Sequence, residues 1–193
     1  ANDMEQRLER ASARQMGQTR ALVMTGLFAA LGCVATLVLQ IPSPTGGYLN
    51  LGDTVVILGA YLLGPALGAA AGGVGPALAD LLSGYTVYVP ATLVIKAAMG
   101  LLAAMLYRAA GKKAWGMVVC ATAAEAVMVA GYWLFDALLM LINGGGRLGV
   151  CLLASAVGIP SNLVQAAFGL AASTLLAMTL RRSGYVRGRF PNL

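Results

Sequence analysis

The sequence contains no histidine and very little charge. None of its 193 residues is a histidine, and charged residues make up 10% of the chain, whereas about 25% is usual in soluble domains. Without an imidazole the chain lacks the usual general base and the commonest nitrogen ligand of metal ions. The three cysteines lie far apart within apolar runs, which fits small core residues rather than a metal site. We therefore predict no catalytic residue and no metal site.

The sequence is rich in apolar residues. They account for 59% of the chain, and a chain of this length keeps roughly 30% of its unfolded surface exposed even when it is folded. So much apolar surface cannot all be hidden from water. The composition excludes a soluble enzyme, a disordered segment and a disulfide-rich secreted module, and it predicts that the chain is folded in a lipid bilayer.

Long uncharged runs divide the chain into spans. A helix needs about 20 apolar residues to cross the hydrocarbon core. The run at 51–83 is broken by Gly64-Pro65, a pair that ends one helix and begins the next, so it reads as two spans of which the first is short. We predict an all-α membrane protein with six transmembrane helices, at about 21–40, 51–63, 65–83, 90–107, 114–142 and 148–180.

The basic residues predict the orientation. Eleven of the 13 lie in three clusters, at 7–20, 108–113 and 181–189, and six spans place all three clusters on one side of the membrane. By the positive-inside rule that side is the cytoplasm, and it holds both termini. We predict a cytoplasmic extension at 1–19, a six-helix membrane domain at 20–182 and a basic cytoplasmic tail at 183–193. Topology explains the net charge of +6, so no nucleic-acid partner is expected.

Three ionisable residues belong to the second, third and fourth spans. Asp53 begins the second span, Asp80 ends the third, and Lys96 lies about two turns into the fourth. Ionisable groups within a membrane are expensive and are usually paired or functional. We predict that Lys96 pairs with Asp80 or Asp53 and holds three helices together.

The last two spans carry a second polar group. Glu125, Tyr132 and Asp136 share one helical face of the fifth span, and Asn162 and Gln165 lie one turn apart in the sixth. Amides in lipid must find partners. These side chains either bind a small polar ring compound below the outer surface or clamp the two helices together.

Two further patterns have alternative interpretations. The outer connection at 44–50 is rich in Pro and Gly and is either a lid over a site or an ordinary loop. Gly26 and Ala30 in the first span are small residues four apart, a spacing that lets helix backbones approach closely. They serve either internal packing or contact with a partner helix.

Several motifs together resemble a known family. They are GGYLNLGD at 46–53, GPALGA at 64–69, GGVGPALADLLSGY at 72–85 and PATLVIK at 90–96. Within a match that covers roughly residues 20–180, they resemble the S components of energy-coupling factor (ECF) vitamin transporters, most closely the riboflavin-type branch. The resemblance implies a multi-pass protein of a prokaryotic plasma membrane that binds a vitamin and is not an enzyme.

The resemblance also implies partners and a pocket. An S component works with a transmembrane coupling subunit, the T component, and with two cytoplasmic ATP-binding-cassette ATPases; it needs no cofactor. The sequence has no P-loop motif with which to bind ATP itself. Gly26 and Ala30 correspond to the face that meets the coupling subunit. The implied substrate pocket consists of Tyr48, Asn50, Tyr132, Asp136, Asn162 and Gln165.

The chemistry of these residues favours certain substrates. An acidic, amide-lined pocket disfavours anionic phosphates and suits neutral or cationic heteroaromatic compounds. The expected substrate is a pyridoxine-like or hydroxymethylpyrimidine-like vitamin precursor, with riboflavin close behind. The alternative is a self-sufficient small secondary carrier or channel energised by ions, but the two halves of the sequence show no internal repeat of the kind such carriers have.

Overall fold

A computed structural model describes residues 2–190, 192 and 193 of the chain, and for residues 2–16 and Arg187 it describes the backbone alone. Ala1, the first residue of the predicted N-terminal extension, and Pro191, in the predicted tail, lie outside the described residues. The described part is built from helices and one small hairpin. The helices are α1 Asn2–Val38, α2 Gly52–Leu63, α3 Pro65–Leu82, α4 Val89–Ala109, α5 Ala114–Ile142, α6 Leu148–Ser155, α7 Ile159–Arg182 and α8 Gly184–Arg189.

Six apolar helical segments match the six predicted spans. Five are long and apolar enough to cross a membrane, at Gly17–Val38, Pro65–Leu82, Val89–Ala109, Ala114–Ile142 and Leu148–Arg182. The last of these combines α6, a 3₁₀ turn at Ala156–Gly158 and α7. The sixth is the shorter α2. The prediction of an all-α membrane protein is thus confirmed, while cytoplasmic termini remain a prediction.

Helix α2 is short, and it lies in the centre of the bundle. Nine of its 12 residues are buried, and it packs against α1, α3, α4, α5 and α7. At 1.5 Å per residue it covers about 18 Å, well short of a hydrocarbon core of about 30 Å. Gly64 ends it with a φ of 85°, and Pro65 begins α3. Since α2 covers so little of that depth, room is left at its N-terminal end for a loop and a polar site.

Small residues on α3 allow the neighbouring helices to approach closely. A Cβ on Gly68 would meet the backbone of Ala60 on α2, and one on Gly75 would meet the carbonyl of Ala29 on α1. Close approach of backbones replaces the hydrophobic drive that lipid does not supply. Large apolar side chains point outward instead, as Leu22, Ile142 and Leu153 do.

The two ends of the bundle differ. What we call the loop end carries the connection at 39–51, where β1 Ile41–Pro42 pairs antiparallel with β2 Tyr48–Leu49. The opposite end, which we call the basic end, carries Arg20, Arg108 and Arg181. There the tail folds back on the bundle: Leu193 is buried, and Asn192 donates to the carbonyl of Leu62 at 3.4 Å. Helix α1 runs without a break past the predicted domain boundary at 19/20.

Candidate binding site

A small cavity lies at the loop end, above the first residues of α2. Its volume is about 30 Å³, enough for one or two water molecules. Four of the six apolar segments and the 39–51 connection contribute to its wall. The lining residues are Ser43, Thr45, Gly47, Tyr48, Asn50, Asp80, Tyr88, Thr92, Tyr132, Asp136, Asn162 and Gln165.

Hydrogen bonds tie the connection at 39–51 to the helices around the cavity. The Tyr48 hydroxyl donates to the Asp80 carboxylate at the end of α3. The hydroxyl groups of Ser43 and Ser161 are 3.1 Å apart, which links the connection to α7. Tyr88, just before α4, donates to the carbonyl of Thr45 at 3.1 Å. The connection therefore forms the roof of the cavity.

Three tyrosine hydroxyls are hydrogen-bonded in the cavity wall. Tyr88 also reaches Oδ1 of Asp136, at 2.8 Å, and the Tyr132 hydroxyl lies 2.9 Å from that of Thr92. Burial, followed by the hydrogen bond to Asp80, raises the pKa of Tyr48 above its ordinary value. Tyr48 therefore stays protonated and keeps donating at neutral pH.

The floor of the cavity is closed by Gln165. Its Oε1 accepts from the backbone N–H of Asn50 at 2.8 Å, and its Nε2 donates to Oδ2 of Asp53 at 2.7 Å. The Asn50 side chain accepts in turn from the N–H of Gly52 at 2.9 Å. These bonds satisfy backbone donors at the start of α2, which a membrane protein cannot leave unpaired.

Directly below the floor lies what we call the ion-pair cluster: Asp53, Lys96, Glu125 and Gln165. Lys96 pairs with Asp53, and both side chains are almost fully buried. A Cβ on Gly169 would contact both Asp53 and Glu125, so these two side chains are neighbours. The Glu125 carboxyl group is buried and has no hydrogen-bond partner among the described residues. A single lysine thus faces two carboxyl groups.

The side chains that line the cavity offer hydroxyl, amide and carboxyl groups. Among the described residues, no three His, Cys, Asp or Glu side chains could hold a metal ion together. The Asn162 amide lines the cavity without a hydrogen bond to any described residue. It is free to bond a ligand.

Comparison with known proteins identifies the family. A sequence model of the family described as "ECF-type riboflavin transporter, S component" matches residues 16–182. The chain belongs to this family. Members of this family are multi-pass membrane proteins that serve as substrate-binding subunits of transporters, and such a subunit is not itself an enzyme.

A curated relative matches part of the same region. It is a Pyrococcus woesei protein described as "Uncharacterized protein in gap 3'region", 42% identical over 101 residues. The match covers 51% of this chain and 66% of the relative, so the chain spans slightly less than two thirds of that protein's length. The description gives the relative no activity.

All six pocket residues predicted for this S component line the one cavity. Two come from the 39–51 connection and four from α5 and α7: Tyr48, Asn50, Tyr132, Asp136, Asn162 and Gln165. That they bind substrate remains a prediction. Glu125 shares the buried face of α5, as the spacing predicted, but lies below the cavity instead of lining it.

The structure decides between the two predicted partners of Lys96 and adds lining residues. Lys96 pairs with Asp53, whereas Asp80 accepts from Tyr48 and Thr92 in the cavity wall. Asp80, at the end of α3, is therefore bonded to the roof and to α4 instead of to the lysine. Tyr88 and Thr92 were missed as lining residues; the four-residue spacing from Tyr88 to Thr92 and on to Lys96 was the available signal.

The predicted partner-helix face points away from the bundle. Gly26 and Ala30 are both exposed, and a Cβ on Gly26 would meet nothing within 4 Å. Internal packing of α1 uses other small residues, since Gly32 lies against Pro76 on α3. Because this face does not pack inside the bundle, contact with a partner helix stays the prediction to test.

Proposed function

We propose that this S component is the high-affinity riboflavin-binding subunit of an ECF-type importer. In that assembly it works with a transmembrane coupling subunit, which contacts Gly26 and Ala30, and with two cytoplasmic ATPases that supply the energy. The observation that carries the proposal is the polar cavity at the loop end, with the amide of Asn162 in its wall bonded to no described residue. The family description supports riboflavin as the substrate.

The donors and acceptors around the cavity suit a neutral ligand with many polar groups. Asp80 and Asp136 are each bonded by tyrosine hydroxyls, and such pairs can exchange partners with the hydroxyl groups of a sugar-alcohol chain. Asn162 offers both a donor and an acceptor to the polar edge of a ring. Two carboxyl groups beside the ligand disfavour a phosphate ester. These features favour riboflavin over its phosphate.

Space for a three-ring compound comes from a second cavity. It has a volume of about 440 Å³, lies between α5 and α6, and shares Thr45 and Asp136 with the first. Drug-sized ligands occupy pockets of about 300–1,000 Å³. A small outward movement of the Thr45 segment would join the two cavities. A single six-membered ring would need less room than this, which is why we place riboflavin ahead of pyridoxine-like and pyrimidine compounds.

The test is a titration of the purified chain in detergent with riboflavin, riboflavin 5′-phosphate, pyridoxine and hydroxymethylpyrimidine. Flavin fluorescence and calorimetry report binding. Riboflavin is expected to bind at least about a hundredfold more tightly than its phosphate, since like-charge contacts cost several kcal/mol and each 1.4 kcal/mol is tenfold. Tighter binding of pyridoxine or hydroxymethylpyrimidine would contradict riboflavin as the substrate but would still agree with the role of an S component. Binding of none would overturn the proposal.

A second experiment separates this proposal from a self-sufficient carrier. The chain alone is reconstituted in liposomes and given external riboflavin, with empty liposomes as the control. We expect binding without accumulation, because the ATPases that drive import are other subunits. Ion-driven accumulation by the chain alone would contradict the importer arrangement.

A further inference from the structure

A third cavity lies at the opposite end of the molecule from the riboflavin site proposed above. It has a volume of about 360 Å³, lies between the start of α5 and the end of α7, and is lined by Ala114, Met178, Arg181 and Arg182. We call it the basic cavity. Two of its four lining residues carry a full positive charge, and the other two are apolar.

Arg181 has no carboxylate partner among the described side chains. Its Nη1 is buried and has no hydrogen-bond partner among the described residues. Although the residue as a whole is half-buried, a charged nitrogen that is shielded from water is costly unless an anion or a hydrogen bond compensates it. The cavity beside this nitrogen is where the compensating group would fit.

The described part of the chain supplies no carboxylate side chain for this purpose. The described acidic side chains are those of Asp53, Asp80, Glu125 and Asp136, and Asp53, Asp80 and Asp136 belong to the loop end. Glu125 lies 11 residues along α5 from Ala114, which is about 16 Å of helix. None of the side chains that the structure describes therefore supplies the compensating anion.

The surroundings of the basic cavity point to a lipid headgroup. Trp115, next to the lining residue Ala114, is 60% exposed, and exposed tryptophans at the ends of membrane helices sit at headgroup level. Val119 on α5 and Leu175 on α7 are exposed on the helices that flank the cavity and face lipid chains. Basic pockets between membrane helices are a general means of binding anionic headgroups.

We propose that the basic cavity binds the phosphate group of an anionic phospholipid. Arg181 holds the phosphate inside the cavity, since a guanidinium can donate two parallel hydrogen bonds to it. Arg182 adds charge at the more exposed rim. Helix α5, which begins at Ala114 with no side-chain hydrogen bond at its N-terminus, adds the positive end of its dipole. The apolar wall of Ala114 and Met178 accommodates the first carbons of the acyl chains.

The experiment measures the melting temperature of the full chain in a neutral detergent with three additions: phosphatidylglycerol, phosphatidylcholine and inorganic phosphate. Phosphatidylglycerol is expected to raise it by at least about 3 °C, as a ligand that binds the folded state alone does. The other two additions are expected to leave it within about 1 °C. Equal stabilisation by inorganic phosphate would show that the ligand is a free anion and contradict the proposal of a lipid. If phosphatidylglycerol had no effect, the proposed binding site itself would be contradicted.

Variants locate the effect. Arg181→Gln is expected to abolish the rise caused by phosphatidylglycerol, while Arg147→Gln, which removes the same charge from an exposed position at the loop end, keeps it. Arg181→Lys keeps the charge without the paired donors and is expected to retain part of the rise. Arg182→Gln leaves Arg181 in place and is expected to halve the rise; this variant tests the site if Arg181→Gln cannot be purified. A full rise in both the Arg181→Gln and Arg182→Gln chains would overturn the proposal.

Discussion

Two polar regions lie next to each other near the loop end of this S component, and they differ in whether their polar groups are bonded within the chain. In the ion-pair cluster, Lys96 and Asp53 bond each other. In the cavity above it, hydroxyl groups bond carboxylates, yet Asn162 keeps an amide free. A buried polar group that is satisfied within the chain serves the fold, whereas one that is left free beside a cavity is available to a ligand.

Gln165 joins the two regions. It lines the cavity, donates to Asp53 and accepts from the N–H of Asn50. Its side chain therefore cannot be assigned to the fold or to the ligand alone. The comparison predicts that substitutions in the cluster change stability, that those in the cavity change affinity, and that Gln165 changes both.

The largest effect is expected from Lys96→Met. It leaves the Asp53 carboxylate buried without its counter-ion, and breaking a buried pair from one side costs about 3–5 kcal/mol. Unfolding of the apo protein in detergent, by heat or denaturant, measures the loss. The double variant with Asp53→Asn removes both charges and is expected to recover most of the stability. If Lys96→Met unfolds like the unsubstituted chain, the cluster does not hold the fold together.

Gln165→Ala is expected to have the next largest effect. Removing the amide leaves an N–H and a carboxylate oxygen short of a partner, and each unsatisfied buried group costs about 1–3 kcal/mol. Both the melting temperature and the affinity for riboflavin should fall, the affinity by about tenfold or more. Gln18→Ala, at an exposed position of α1, is the matched control. A change in melting temperature alone would assign Gln165 to the ion-pair cluster, and a change in affinity alone would assign it to the cavity.

Asn162→Ala is expected to act on affinity alone. In the proposed site the Asn162 amide bonds the ligand and no described residue, so its loss should weaken riboflavin binding by about tenfold, equivalent to about 1.4 kcal/mol. The melting temperature of the apo chain should stay within about 1 °C. Leu163→Ala, exposed one residue further on, controls for truncation of α7. Unchanged riboflavin titration of Asn162→Ala would remove the key ligand contact from the proposal.

The smallest effect on the isolated chain is expected from Gly26→Leu or Ala30→Leu. Both positions point outward, so riboflavin affinity and melting temperature should not change. Uptake by cells that contain the whole transporter should be lost, because a bulky residue separates α1 from the coupling subunit. Gly149→Leu, at another exposed glycine with open space around it, should leave uptake intact. Normal uptake by the α1 variants would show that this face contacts no partner.

Much of the site could be predicted because helical spacing is local. The three- and four-residue intervals that link Glu125, Tyr132 and Asp136 place them on one face of α5 whatever lies opposite. Asp80 was harder to place. It lies near the end of α3, so a small difference in the rotation of that helix decides whether its carboxylate reaches Lys96 or Tyr48.

The amino-acid sequence by itself determined that the chain lies in lipid, that it has six apolar segments and that the second helix is short. These features follow from the length of the apolar runs and from the Gly64-Pro65 break, which are local properties of the chain. Only the tertiary structure decided that Asp53 is the partner of Lys96, that Tyr88 and Thr92 line the cavity, and that Nη1 of Arg181 is buried without a hydrogen-bond partner among the described residues. Those facts depend on the rotation and depth of each helix against its neighbours. In a bundle packed through small residues, they are set by contacts between segments far apart in the chain.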